Sequence, residues 1–194
     1  MSQTSALQTF AKTMRTLKTF SIRFMYVVQD STAHIDIDQA GELLISDKKY
    51  RLDLTNRLIL FDGKARYTYL KTENEIVIET PNILQEGIFA DPSAIFSIDY
   101  NDFDVKQKPE SVVGNRSVIN LDLTPKTSGL PYQKISLGLN KTTYTPARII
   151  YYGTDKRVAA LTISEFNTNV TIADTDFFFD LKNCCPHVEI VDMR

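Results

Sequence analysis

Residues 41–70 read GELLISDKKYRLDLTNRLILFDGKARYTYL, and this stretch decides the fold. Apolar and polar residues alternate along it, as at Tyr50, Leu52 and Leu54, which are separated by single charged residues. Because successive side chains on a strand point to opposite faces, each segment has one apolar and one polar face. The Asp-Gly-Lys sequence at 62–64 indicates a hairpin turn, since glycine accepts the positive φ that such turns require. The stretch therefore predicts a meander of about three or four short antiparallel strands.

Upstream of the meander, the N-terminal segment predicts a helix. Residues 4–18 carry apolar side chains every three to four positions, which is typical of one buried stripe on an amphipathic helix. Lys12, Arg15 and Lys18 are expected on the polar side of this helix. The stripe is wide enough to pack against a sheet.

Most of the remaining chain has the period of two that is typical of strands. Residues 20–28 and 34–39 precede the meander, and residues 75–80 follow it. Further strands, separated by turn clusters, are predicted at 102–107, 117–124, 132–139, 143–152, 157–165 and 187–191. Evenly spaced strands with little helix predict a curved sheet or barrel. At 194 residues the chain is expected to form one domain over residues 1–194.

The composition excludes several classes of function. Apolar residues make up 43% of the chain and charged residues 24%, with a formal net charge of −2 and no basic block. Binding of nucleic acid or of anionic membranes draws on clustered Lys and Arg, so neither partner is expected. No apolar run approaches the roughly 20 residues of a membrane span. The opening MSQTSALQ lacks the features of a signal peptide, so in an exported protein the signal is expected to have been removed or left out.

Candidate groups for chemistry are few. Cys184 and Cys185 are adjacent, so they cannot staple distant segments, although a strained vicinal disulfide stays open. His187 follows them closely, but nearness in sequence is not the spatial arrangement that thiolate catalysis needs. Glycine-rich phosphate loops and hydrolase or metalloprotease motifs are missing from the sequence. The chain is therefore interpreted as a non-enzyme without a cofactor.

One set of metal-ligating residue types is present at strand spacing. His34, Asp36 and Asp38 share one face of the predicted strand at 34–39, and imidazole with carboxylates can bind a divalent metal. The alternative is that the intervening isoleucines point inward while these polar side chains meet water. The second interpretation is favoured, and no metal site is expected.

Residues 81–99, PNILQEGIFADPSAIFSID, form an unusually apolar connection. Pro81 ends the preceding strand because it cannot donate to a ladder, and Asp91-Pro92 is a good helix start. A connection this apolar is expected to lie on the sheet as a cover, and its breaks at Gly87 and Pro92 allow it to move as a lid. The predicted lid residues are Ile83, Leu84, Ile88, Phe89, Ile95 and Phe96.

The apolar face of the predicted sheet covers either a filled core or a cavity. Tyrosines on this face supply wide apolar surface with polar edges, which suits a greasy ligand with a polar head. A packed core would use the same residues, and the pattern alone leaves both alternatives open. The residues expected to line a lipid-binding cavity are Ile22, Phe24, Tyr26, Leu43, Ile45, Tyr50, Leu52, Leu54, Leu60, Tyr67, Tyr69, Ile76 and Ile78.

Five segments, in order, resemble those of a known family. A helix runs into FSIRFMY at 20–26, followed by GELLISDKKYRLDL at 41–54 and LILFDGKARYTYL at 58–70. LDLTPK follows at 121–126, and the chain closes with DTDFFFDLKNCCPHVEIVDMR at 174–194. Together these segments, which span nearly the whole chain, are similar to LolA, the outer-membrane lipoprotein carrier family of the Gram-negative periplasm, and most similar to its divergent LolA-like members.

The resemblance implies a fold and a function. The fold would be a mainly β, unclosed antiparallel β-barrel of roughly eleven strands, with an N-terminal helix and short lid helices over an apolar cavity. The function would be that of a monomeric periplasmic carrier, which binds the acyl chains of lipoproteins and shuttles them to the outer membrane. Its partners would be acylated lipoproteins, an inner-membrane ABC transporter complex and an outer-membrane receptor. The alternative is another lipid-binding domain, or a lipoprotein-sensing envelope-stress regulator domain, of the same fold.

The sequence departs from this family at one position. The better-known carriers have an Arg just after the Gly-x-Leu strand, and that Arg holds the lid shut. Here the region reads Ser46-Asp47-Lys48, and the role is not assigned to the neighbouring Arg51. Lid closure is therefore expected to use other residues, or the lid to be looser.

Overall fold

A computed structural model of the protein describes residues 3–30, 35–81, 96, 100–179 and 187–194. Helix α1 spans Gln3–Thr16, and short 3-10 helices span Tyr100–Asp102 and Asp174–Phe177. The strands are β1 Thr19–Asp30, β2 Ile35–Ser46, β3 Lys49–Leu54, β4 Arg57–Phe61, β5 Arg66–Leu70, β6 Glu75–Glu79, β7 Phe103–Val113, β8 Arg116–Pro125, β9 Tyr132–Asn140, β10 Pro146–Gly153, β11 Arg157–Thr168 and β12 Glu189–Asp192. No helix in the described ranges is long and apolar enough to span a membrane.

The twelve strands of the described residues belong to one sheet, in the order β12-β6-β5-β4-β3-β2-β1-β11-β10-β9-β8-β7. Neighbouring strands are antiparallel except β12, which runs parallel to β6. Within the described residues the sheet ends at β12 and β7, which do not pair with each other. The predicted mainly β, unclosed antiparallel architecture with an N-terminal helix is thus confirmed, with twelve strands instead of about eleven.

The hairpin turn at Asp62-Gly63-Lys64 is confirmed between β4 and β5. Gly63 has a φ of 95°, and the Asp62 Oδ1 accepts the backbone N–H groups of Lys64 and Ala65, each at 2.8 Å. Burial by itself would raise the pKa of Asp62, but these two N–H donors and the Tyr67 hydroxyl outweigh it and lower the pKa. The carboxylate therefore stays ionised and holds the turn.

Strand β2 is longer than the sequence pattern indicates. Residues 34–39 and the region around Leu43 were expected as separate strands, but Ile35–Ser46 is continuous. Gly41 lies at its centre, paired with Phe24 on β1 and Leu54 on β3. A Cβ atom on Gly41 would lie 2.5 Å from the Phe24 Cζ and 2.8 Å from the Leu54 Cδ2. Glycine therefore serves here to admit the Phe24 ring over the strand and not to make a turn.

Gly41→Ala is expected to lower the free energy of unfolding by about 1–3 kcal/mol, because the buried Phe24 ring must move to accommodate the methyl group. Gly138→Ala on β9 is the matched control, since its added Cβ would meet no atom closer than 3.5 Å. Urea denaturation of both variants tests this. Equal midpoints for Gly41→Ala and Gly138→Ala would show that the Phe24 ring can move away from the added methyl group without a loss of stability.

Helix α1 packs on one face of the sheet, which we call the inner face; the opposite face is the outer face. Phe10 is 0% exposed, and its ring meets the Tyr100 ring edge-to-face, with centroids 5.4 Å apart. Leu7 and Met14 of the same helix are also buried in this core. The strand residues that complete it come mainly from the middle and the β7 side of the sheet: Ile22, Phe24, Leu43, Leu52, Leu121, Leu123, Ile135, Leu137, Ile149, Tyr151, Leu161 and Ile163.

Candidate ligand-binding cleft

The residues predicted to line one cavity fall on both faces of the sheet. Leu52 pairs with Leu43 on β2 and Ile59 on β4, which places these three side chains on the inner face. Leu60 pairs with Arg51 and Tyr67, so it points the other way. The inner set is Ile22, Phe24, Tyr26, Leu43, Ile45, Tyr50, Leu52 and Leu54; the outer set is Leu60, Tyr67, Tyr69, Ile76 and Ile78.

The inner set belongs to the packed core beneath α1. All its members are buried except Ile45, which is half-buried and packs against the others. Burial raises the pKa of Tyr26, while the charges of Arg57 and Arg157 act in the opposite direction. The inner set therefore lies in a well-packed, low-dielectric interior. Its role as ligand lining remains a prediction.

All members of the outer set except Leu60 belong to a second, smaller apolar cluster. Ile76 and Ile78 are buried beside Ala65, and Tyr69 meets Phe179 edge-to-face at 5.8 Å between ring centroids. The switch of faces begins on β4, where Leu58, Ile59 and Leu60 are consecutive apolar residues that give the strand two apolar faces. This correction concerns placement: the sheet does not bring the two sets together in a single cavity.

The predicted lid lies almost wholly outside the described residues. This holds for Ile83, Leu84, Ile88, Phe89 and Ile95. Phe96 is described; it is half-buried, and its ring lies edge-to-face on Phe20 with centroids 5.1 Å apart. At least this lid residue packs against the inner-face core.

The other candidate groups are placed as follows. His34, Cys184 and Cys185 lie outside the described residues, as does the side chain of Asp36. Among the described residues, no group of three His, Cys, Asp or Glu side chains is arranged to hold a metal ion. Arg51 lies on the outer face, where its Nη2 is 3.6 Å from the Asp53 carboxylate.

A cavity of about 460 Å³ lies between α1 and the beginning of β7. Leu7 and Ala11 of the helix, with Phe103 and Val105 of the strand, provide its apolar walls, and Tyr100 closes one side. We call this cavity the cleft. Its volume falls within the roughly 300–1,000 Å³ of typical ligand sites. The cleft can therefore accept an apolar chain of modest size.

Regular secondary structure positions the walls of the cleft. Leu7 and Ala11 are one helical turn apart, so they lie on one side of α1. Phe103 and Val105 are two residues apart on β7 and pair with Pro125 and Leu123 of β8, which directs both to the inner face. The cleft thus continues the apolar inner face to the edge strand of the sheet.

Basic side chains surround the opening of the cleft. Lys12, Arg15 and Lys126 line it, together with the uncharged polar residues Gln8, Thr16 and Asn101. None of the described lining residues is an Asp or Glu. In a chain of net charge −2, this is a local excess of positive charge over an apolar floor.

Lys126 is held in place from two directions. Its backbone N–H donates to the Asp102 carbonyl oxygen at 2.9 Å, and its Nζ donates to the Asn101 carbonyl oxygen at 2.9 Å. Both acceptors belong to the 3-10 helix that carries Tyr100. The ammonium group is therefore fixed beside the opening of the cleft.

The tyrosines next to the cleft are neutral. Burial, and to a lesser extent Tyr132, raises the pKa of Tyr100. Burial raises the pKa of Tyr132, and the negative charge of the nearby Asp102 carboxylate raises it further. Asp102 is not a lining residue of the cleft. The cleft thus combines a neutral apolar interior with a cationic opening.

A second depression, of about 620 Å³, is an open groove around β1 to β3 and β11. Its charged side chains are already paired: Arg23 lies 3.7 Å from Glu42 and 3.4 Å from Glu165. Lys71 is 2.7 Å from Asp53. Because its charges are mutually compensated, this groove is a weaker candidate for a ligand site than the cleft.

The site residues that sequence reasoning missed are those of the cleft opening. Lys12 and Arg15 lie on the polar, exposed side of α1, as expected, but the sequence did not indicate that this side borders a cavity. Lys126 ends the LDLTPK segment, which provided only a family resemblance. The one available signal was that this segment ends with a Lys directly after a strand.

No protein-family model matches the sequence, and no curated protein matches it. Among solved structures, an uncharacterized conserved protein from Thermus thermophilus is similar over 99% of both chains, with 12% identity and a TM-score of 0.61. A LolA superfamily protein from Nitrosomonas europaea has 13% identity, covers 93% of this chain and 99% of its own, and has a TM-score of 0.47. MucB in the MucA/MucB complex of Pseudomonas aeruginosa has 18% identity, covers 91% and 60%, and has a TM-score of 0.44.

These likenesses concern the fold alone, because all the identities are low. The similarity in fold is clearest for the Thermus thermophilus protein, since it extends over nearly the whole of both chains. The other two have TM-scores below 0.5. Function must therefore be argued from the cleft and from the sequence.

Proposed function

We propose that the protein is a periplasmic carrier, which holds the acyl chain of a lipid or lipoprotein in the cleft and shuttles it from the inner to the outer membrane. The observation that carries this proposal is the 460 Å³ cavity with walls from Leu7, Ala11, Phe103 and Val105. The resemblance of five sequence segments to the LolA family supports it. The predicted lid at 81–99 would complete the enclosure.

The energetics of burial are sufficient for loading. Each buried CH₂ group contributes about 0.8 kcal/mol, so even a short acyl segment in the cleft would be held tightly enough to leave water. Release then requires a receptor with higher affinity. On this proposal an inner-membrane ABC transporter complex supplies the cargo and an outer-membrane receptor takes it, and no covalent bond changes.

Val105→Trp is expected to weaken the binding of a fluorescent fatty acid at least about tenfold, which corresponds to roughly 1.4 kcal/mol. The indole would occupy space in the cleft and displace about two CH₂ groups of the ligand. Fluorescence titration of the purified protein measures the change. Thermal unfolding of the same sample checks that the variant is folded.

Val112→Trp is the matched control, because it lies on the same strand but is 69% exposed and away from the cleft. This variant is expected to bind like the wild type. Saturable binding that Val105→Trp leaves unchanged would place the ligand elsewhere. Failure of the wild-type protein to bind any fatty acid would contradict the proposed function.

A second candidate function is a lipoprotein-sensing regulator domain of the same fold. The observation that favours it is the packing of the inner set: Ile22, Leu43 and Leu52 are fully buried in the core. A filled interior leaves no room for a ligand beside these three residues, so on this alternative a lipid would bind in the cleft. On this alternative, lipid occupancy would change the affinity for a protein partner, whereas a carrier would deliver the lipid to an acceptor.

A further inference from the structure

From the charge distribution around the cleft, we infer that its ligand is a single-chain amphiphile with an anionic head group. Lys12 and Lys126 would hold the head while the chain lies along Leu7, Ala11, Phe103 and Val105. This inference rests on the proposed function and specifies the ligand class of the same site. A neutral or cationic amphiphile would fill the apolar part of the cleft equally well but would gain nothing from its opening.

The position of Lys126 is the first step of the argument. An ammonium group has three N–H donors, and one of these goes to the Asn101 carbonyl oxygen. That acceptor is neutral, so it orients the side chain without cancelling its charge. Lys126 has no carboxylate partner among the described residues, so its remaining donors and its positive charge suit a carboxylate or phosphate oxygen at the opening.

The position of Lys12 is the second step. Lys12 and Ala11 of α1 both line the cleft, so the helix contributes a cation as well as an apolar wall. Lys126 lines the same cleft from a different element, since it follows the end of β8 next to the first residues of β7. An anionic head between the two lysines would lie directly above the apolar walls, which is the arrangement of charge and chain in a fatty acid or an acyl phosphate ester.

The test compares amphiphiles that share one chain and differ in the head. The wild-type protein is loaded with the neutral fluorescent probe N-phenyl-naphthylamine at mildly alkaline pH. Displacement of the probe is then measured with each of four competitors: dodecanoate, dodecyl phosphate, dodecanol and dodecyltrimethylammonium. We expect the two anions to compete about tenfold better than dodecanol, and the advantage to shrink with added salt, because interactions at a solvent-exposed opening are screened. A preference for dodecyl phosphate over dodecanoate would identify a phospholipid-type head group. A preference for dodecanoate would identify a fatty acid.

The Lys12→Gln/Lys126→Gln double variant is expected to lose this advantage while binding dodecanol as before. Lys48→Gln/Lys64→Gln removes the same charge from exposed turns outside the cleft and is expected to keep it. Equal competition by anions and dodecanol in the wild type, or an anion preference that survives in Lys12→Gln/Lys126→Gln, would overturn the inference and leave the carrier proposal standing. No binding of probe or of any amphiphile would overturn both.

Discussion

Phe10→Ala is expected to lower the free energy of unfolding by about 3–5 kcal/mol, the usual cost of removing a fully buried phenylalanine. The ring is completely buried between α1 and the sheet and makes an edge-to-face contact with Tyr100. Such aromatic pairs contribute about 0.5–1.5 kcal/mol beyond burial. Because Tyr100 and α1 both line the cleft, the same change is expected to weaken ligand binding.

Urea denaturation of Phe10→Ala, with Phe10→Leu beside it, measures the effect. Leucine restores most of the buried volume without the aromatic contact, so we expect it to cost much less. Phe178→Ala is the surface control, since this side chain is largely exposed. A loss below about 1 kcal/mol in Phe10→Ala, similar to that of a surface site, would show that α1 is not anchored through this residue.

Glu79→Leu is expected to lower the free energy of unfolding by about 3 kcal/mol, because it removes the Glu79 carboxylate from the buried Arg66 guanidinium. Arg66 is only 7% exposed, and its Nε and Nη2 donate to the Glu79 Oε1 at 3.0 and 2.8 Å. The two residues pair directly across β5 and β6 and lie on the inner face. The neighbouring apolar cluster lies on the opposite, outer face. The estimate is at the low end of the range for buried pairs, since Glu79 is partly exposed.

A double variant separates the charge from the packing. Arg66→Met/Glu79→Leu is expected to recover most of the lost stability, because it replaces the whole pair with apolar groups. Glu110→Leu is the control: its 2.8 Å ion pair with Lys141 is exposed, and we expect a change within about 1 kcal/mol. If the Arg66→Met/Glu79→Leu variant is as unstable as Glu79→Leu alone, the cost does not come from removing the Glu79 charge beside the buried Arg66.

The alternation at Tyr50, Leu52 and Leu54 was sufficient to predict β3 and its buried face, because a strand with one apolar face has only one way to lie. The same reasoning cannot assign the buried face at Leu58-Ile59-Leu60, since this run has apolar side chains on both faces of the strand. The register with β3 and β5 decides which face each residue takes, and the sequence of one strand does not specify how it pairs with its neighbours. The parallel pairing of β12 with β6 likewise depends on a distant segment.

The cleft could not be predicted from the sequence for a related reason. Its walls come from α1 and β7, which are some ninety positions apart in the chain. The helical period predicts which residues of α1 face a core, but not how the helix is rotated above the sheet. That rotation places Lys12 and Arg15 at the cleft, and the hydrogen bonds of Lys126 to the 3-10 helix at Tyr100–Asp102 place this lysine at the same cleft.

Photolabelling tests the central claim, that an acyl chain lies between α1 and β7, most directly. A fatty acid that carries a diazirine in its chain is bound to the wild-type protein and irradiated, and the labelled residues are located by peptide mass spectrometry. We predict label on the segments that contain Leu7 and Ala11 and on those that contain Phe103 and Val105, and loss of this label in Val105→Trp. Label confined to the outer cluster of Tyr67, Tyr69, Ile76 and Ile78, or no label above background, would contradict the account.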